Sequence, residues 1–80
     1  MRAQVQYAEA LGFDSVWFAD HIVIPRTLRS HYPYSVDGTS PFEPDRPFSE
    51  VLSMLTFLAG CTQRIRLGPN VLVVPYRPPV

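Results

Sequence analysis

The sequence predicts an α/β fold built on one strand–helix–strand unit whose two strands run parallel. Three observations predict it. Apolar residues recur at helical spacing in two separate segments, each segment is followed by a short run rich in aromatic and β-branched residues, and the connection between those runs is long enough to hold a helix. A strand–helix–strand connection of that length favours a right-handed parallel crossover. The 80 residues suffice for one domain at most, and a chain this short buries only about 60% of the surface its unfolded form exposes.

Residues 2–11 place Val5, Ala8 and Leu11 on one helical face and stop at Gly12, the residue type favoured just past a helix end. Phe13–Ala19 then reads as a strand, with Val16, Trp17 and Phe18 in succession, a pattern that predicts burial on both faces. From Pro25 to Pro47 five prolines excludes a continuous helix or central strand, so a long loop of about 22–46 is expected here, the most mobile part of the chain. Asp45 is placed as the N-cap of a second helix, whose stripe comprises Phe48, Val51, Leu52, Leu55, Leu58 and Ala59 and which ends around Gly60 to Thr62. Ile65–Leu67 and Val71–Val74 form the second β-branched run, with a bulge or kink expected at Gly68-Pro69-Asn70. One such unit leaves sheet edges unpaired and a sheet face uncovered, which predicts a fragment of a larger fold or assembly with a partner, and an isolated chain that does not fold as a cooperative unit.

Apolar residues make up 46% and charged residues 18%, a composition that wants a core rather than one typical of disorder. Net charge is zero and the seven basic residues, all arginine, are scattered along the chain, so no nucleic-acid footprint is expected. Met1 to Leu11 lacks the apolar stretch of a signal peptide, and no apolar run reaches the roughly 20 residues that span a bilayer. The single cysteine, Cys61, cannot close an internal disulfide, which makes the cytoplasm the expected compartment. It has no nearby histidine or second cysteine, no His-x-His pair occurs, and no metal ligand set is expected. His31, among Ser30, Tyr32 and Tyr34 in the loop, is read as solvated and is assigned no role.

In parallel α/β architectures ligands bind beyond the carboxyl ends of the strands. Two segments qualify, Asp20-His21 with the loop after it and Gly68 to Pro75, and parallel strands place both on one rim. The residues Ala8-Glu9-Ala10-Leu11-Gly12-Phe13-Asp14-Ser15-Val16-Trp17, followed by Asp20-His21, resemble the early part of the bacterial luciferase-like monooxygenase superfamily. Thr62-Gln63-Arg64-Ile65-Arg66-Leu67-Gly68, then Val71 and Pro75, resemble that superfamily's third strand and its exit. The resemblance covers nearly the whole chain apart from the variable loop. It implies a single partial (β/α)8 TIM barrel domain over residues 1–80, holding helix 1, strand 2, helix 2 and strand 3 of a barrel of about 300 residues.

What the resemblance implies for chemistry is an oxidoreductase that binds either reduced FMN, activating oxygen, or the deazaflavin coenzyme F-420, transferring hydride at its ring carbon. Asp20-His21-Ile22 and Gly68-Pro69-Asn70-Val71 look closer to the deazaflavin branch, with an FMN-dependent monooxygenase as the alternative. His21 is the expected catalytic acid or base, since an imidazole titrates near neutrality and can exchange a proton with a substrate oxygen as hydride arrives. Asp20 is expected to orient His21 or bond the cofactor ring, with capping of the turn after the strand as its structural alternative. Asn70 and Val71 resemble the family's bulge, where a non-proline cis peptide presses an apolar side chain against the flavin ring; a simple bulge is the alternative. Trp17 is expected to pack the barrel or wall a ring pocket. The partner implied is a small-molecule substrate, and the oligomeric state of the full-length protein is left open, homo-oligomers included. A reading of another class is a non-catalytic truncated fragment or cofactor-binding remnant.

Overall fold

The computed structural model describes residues 1–79 of the chain. Its elements follow the expected order: α1 (Arg2–Ala10), β1 (Ser15–Phe18), α2 (Val51–Ala59) and β2 (Arg66–Pro69), then a single turn of 3-10 helix over Val74–Tyr76. The strands pair in parallel with Ser15 opposite Arg66 and Phe18 opposite Pro69. The piece is α/β as expected; its two strands form an open sheet and not a closed barrel.

α1 stops where the sequence says it should. Gly12 takes a φ of 90°, a left-handed backbone that costs glycine nothing. That turn lets the Gly12 N–H donate to Glu9 O and the Phe13 N–H donate to Ala8 O, both at 3.1 Å, the paired bonds of a Schellman ending. The chain then reverses into β1. α2 begins at Val51 rather than near Asp45, because the cap is Glu50: its carboxylate accepts from the N–H groups of Leu52 (3.1 Å) and Ser53 (2.7 Å). Asp45, expected as the cap, instead pairs with Arg26 across the loop at 2.7 Å. Phe48 therefore precedes the helix and leaves the expected stripe.

Val5 from α1, Leu58 from α2 and Ile65 at the entry to β2 form the buried centre, with Ala8, Val16, Phe18, Met54 and Leu67 packed around it. Both helices thus lie on one face of the sheet. Side chains alternate along a strand, so Ser15 and Trp17 point to the opposite face. There Trp17 is 61% exposed, and the burial on both faces expected of Val16-Trp17-Phe18 holds on the helical side alone. Gly68, the strand partner of Trp17, lies beneath its indole: a Cβ on Gly68 would stand 2.6 Å from Trp17 Cζ3.

The second β-branched run splits in two. β2 ends at Pro69, and Val71–Val74 does not continue it as the sequence suggested. Two causes are visible. The Val73 N–H is taken by the Asp20 carboxylate at 2.8 Å, and Pro75 has no N–H to give a ladder.

Entry into β2 is tied to α1. Glu9 accepts from the backbone N–H groups of Gln63, Arg64 and Ile65, and Gln6 Nε2 donates to Cys61 O at 2.9 Å. Those bonds, that from Ile65 foremost and that from Arg64 next, hold the Glu9 carboxyl below its usual range.

The fold remains open for its mass. Its accessible surface is 6579 Å², against about 4,900 Å² from the scaling for a folded monomer of this size. Its radius of gyration is 15.0 Å, against about 11.6 Å for a compact domain of this length. A chain with so little enclosed apolar surface has little to oppose its conformational entropy. The 80-residue chain alone is accordingly expected to melt over a broad, non-cooperative range by circular dichroism. A sharp two-state transition from a monomer would contradict this.

Candidate functional site

Pairing of Phe18 with Pro69 brings both strands to their carboxyl ends together, and the Asn70 N–H extends the ladder to Phe18 O at 2.7 Å. Asp20-His21 and Asn70-Val71 therefore leave the sheet side by side. The Asn70–Val71 peptide bond is cis. Both residues are exposed, Val71 by 68%.

Asp20 is the buried charged residue of this rim, 5% exposed. A carboxylate so enclosed needs its charge matched and its oxygens bonded. Arg77 supplies a fork: Nη1 donates to Oδ2 at 2.7 Å and Nη2 to Oδ1 at 3.1 Å, while the Val73 N–H completes the set. Arg77 also donates from Nη2 to Glu50 Oε1 at 2.7 Å. The end of β1, the segment after β2 and the N-terminus of α2 are thereby joined through one guanidinium. The Arg77 bond, assisted by that from Val73 and opposed by burial, holds the Asp20 carboxyl below its usual range. For Glu50 the Arg77 bond, then those from Ser53 and Leu52, lower the carboxyl from its ordinary 4.5 to about 2. Asp20 first and Glu50 second raise Arg77 further above its already high value, so it stays cationic.

The structure places Asp20 and His21 on the rim as expected but makes no hydrogen bond between the two side chains; every Asp20 contact goes to Arg77 or Val73. His21 is half-buried and held by rings. Its centroid lies 4.6 Å from that of Phe42, tilted by 55°, and 5.5 Å from that of Phe48, nearly edge-on at 86°. The loop thus returns from Phe42 onward to cover the imidazole. Ser15, Trp17 and Gly68 lie on the sheet face away from the helices, where Trp17 Nε1 donates to Ser15 Oγ at 3.0 Å.

Sequence reasoning missed Arg77, Glu50, Phe42 and Phe48. Glu50 had a signal, an acceptor directly before an apolar helical run; Arg77, set among prolines, had none. His31 packs its ring into the space above Gly38, where a Cβ would collide with it. Among the described residues no three of His, Cys, Asp and Glu gather closely enough to hold a metal ion, and no helix is long and apolar enough to cross a membrane.

Comparison with known proteins adds three findings. The profile of the luciferase-like monooxygenase family matches residues 1–80. Uncharacterized proteins of Mycobacterium bovis and of two Mycobacterium tuberculosis strains are each 39% identical over 72 residues, which is 90% of this chain and 25% of each relative. The chain therefore spans about a quarter of the length of the curated relatives it matches. No solved structure matches it significantly.

A carboxyl whose folded pKa is depressed contributes stability that is complete above its ordinary value and is lost as pH falls through the folded value. For Glu50 that window runs from 4.5 down to about 2. In the full-length protein bearing this segment, the urea midpoint is expected to fall across that window, and Glu50→Gln to make the fall shallower. An unchanged pH slope in the variant would show that the cap and the Arg77 contact contribute nothing.

Proposed function

The chain belongs to the luciferase-like monooxygenase family, and from that membership we propose that it forms part of the cofactor and substrate rim of an oxidoreductase working with a reduced deazaflavin coenzyme. The barrel that the family implies would place this rim at its C-terminal face, where catalytic residues of such folds gather. The observation that carries the reading is the strand register: Phe18 opposite Pro69 sets His21 and Val71 on neighbouring exits of one sheet edge.

The residues present fit a flat, largely apolar ring system. Val71 and Trp17 offer exposed branched and aromatic surface, against which a planar ring buries well. Asn70 and Val71 would contact the ring and Asp20 would keep their segment in place through Val73. Bound there, the coenzyme would supply a hydride from its ring carbon. His21 would exchange a proton with the substrate oxygen as hydride is transferred. Phe42 and Phe48 keep the imidazole in one orientation and thin the water around it.

The test is cofactor retention. Full-length protein mixed with coenzyme F-420 or with FMN and passed over a desalting column should keep one equivalent of deazaflavin absorbance. Retention of FMN alone would move the assignment to the monooxygenase alternative, and retention of neither would favour a non-catalytic remnant.

His21→Ala should lower turnover by about 10²- to 10⁴-fold, the loss typical of a general acid or base, while cofactor affinity stays within several-fold. Steady-state rates beside a cofactor absorbance titration measure both; unchanged turnover would leave His21 as a packed imidazole of the rim.

A further inference from the structure

Val73 is held by both of its backbone polar groups. Its N–H donates to Asp20 Oδ2 at 2.8 Å, and its carbonyl accepts from Arg77 Nη1 at 3.1 Å. The same Nη1 donates to Asp20 Oδ2 at 2.7 Å, so this residue is gripped by the two members of one ion pair. Nη2 adds Asp20 Oδ1 and Glu50 Oε1. One planar fork thus meets the Asp20 carboxylate, the Val73 carbonyl and the cap of α2 together.

The grip lies where the chain has left the sheet. β2 ends at Pro69, and the Asn70 N–H makes the last ladder bond, to Phe18 O. Val71 is 68% exposed, and its place is set by Asn70 before it and by Val73 after it, two residues on and at most about 7 Å away along the chain. A shift at Val73 is therefore a shift at Val71.

The ion pair is of the kind that can fix a backbone. The side chains of Arg77 and Asp20 are 20% and 1% exposed, so water screens the pair little, and loss of the cation would leave an enclosed carboxylate without its counter-charge. Lysine would restore the charge but not the contacts. Its one nitrogen is a compact donor on a flexible stem and cannot span both carboxylate oxygens, a carbonyl and a second carboxylate from one plane.

We propose that Arg77 is a positioning residue for the coenzyme: by closing on Val73 together with Asp20 it fixes where Asn70 and Val71 stand at the strand ends, and so sets how tightly the ring is held. The proposal rests on the reading of Asn70 and Val71 as ring contacts. Arg77 acts through them and not by touching the ring.

Two measurements on the full-length protein test the two halves separately. In cofactor-free protein, hydrogen–deuterium exchange read by mass spectrometry should show segment 70–76 exchanging roughly tenfold faster or more in Arg77→Lys, the effect of losing a charge-assisted bond, while α1 exchanges as before. Arg77→Gln should do the same, so the test does not depend on one variant folding. In an absorbance titration with the coenzyme that the wild type retains, F-420 or FMN, Arg77→Lys should raise Kd by about tenfold or more. In a Val71→Ala background it should raise Kd by less than about threefold, because a residue that acts through Val71 then has no contact left to position. An equal loss in both backgrounds marks a merely structural arginine and overturns the proposal, as do unchanged exchange of 70–76 and exchange raised throughout the chain. A wild type that retains neither coenzyme overturns the cofactor reading and the effect on affinity with it, whereas faster exchange confined to 70–76 in that protein still supports the hold of Arg77 on the segment.

Discussion

Arg77 is the point on which the rim depends. Asp20 sits almost wholly out of solvent one residue removed from the end of a strand of four residues, and without the guanidinium its charge would have the Val73 N–H alone. With it, the carboxylate becomes the node that stops Val71–Val74 from joining the sheet and turns that segment across the strand ends. Glu50 carries the same cation to α2, so the helix start, the strand end and the turn beyond β2 are positioned together. A group shared in this way couples its partners: weakening one contact alters the others through the guanidinium, not through the backbone between them.

The opposite end of the sheet is tied in a similar manner by Glu9, which gathers three successive backbone N–H groups ahead of β2. Strands this short carry few ladder bonds of their own. A carboxylate at each end supplies what the ladder lacks, and the two differ in consequence. Glu9 fixes where β2 begins relative to α1, whereas Asp20 fixes what the chain does once the strands have ended.

Local pattern revealed the elements and hid their partners. The Gly12 stop, the helical spacing of Val51, Leu55 and Leu58, and the parallel order of the strands follow from rules that act over a few residues. Asp20 and Arg77 lie 57 residues apart, and Arg77 and Glu50 lie 27 apart; no periodicity links them. Asp45 satisfied the composition of a cap as well as Glu50 did, and only Pro47 and Phe48 between them, the latter folded back toward His21, displace the helix start. Trp17 read as buried because its neighbours are apolar, while its exposure follows from what covers the second sheet face, a property of surrounding chain. The position of His21 at the rim was legible through its place after a strand. The rings that flank it come from a loop whose path no short-range rule specifies.

The exposed pair of Arg26 and Asp45 has a meaning apart from energy. Ion pairs as solvated as this one contribute about 0–1 kcal/mol, yet this one marks where the loop's two ends meet. Between them the chain leaves and returns to nearly one point, and closure entropy grows only slowly with length. The segment is therefore built as an interchangeable cassette: a longer, shorter or differently lined insert could be spliced at the same base while β1, α2 and the Asp20–Arg77–Glu50 linkage keep their positions. What lines the loop can thus change by exchange of the cassette while the strand ends keep their geometry.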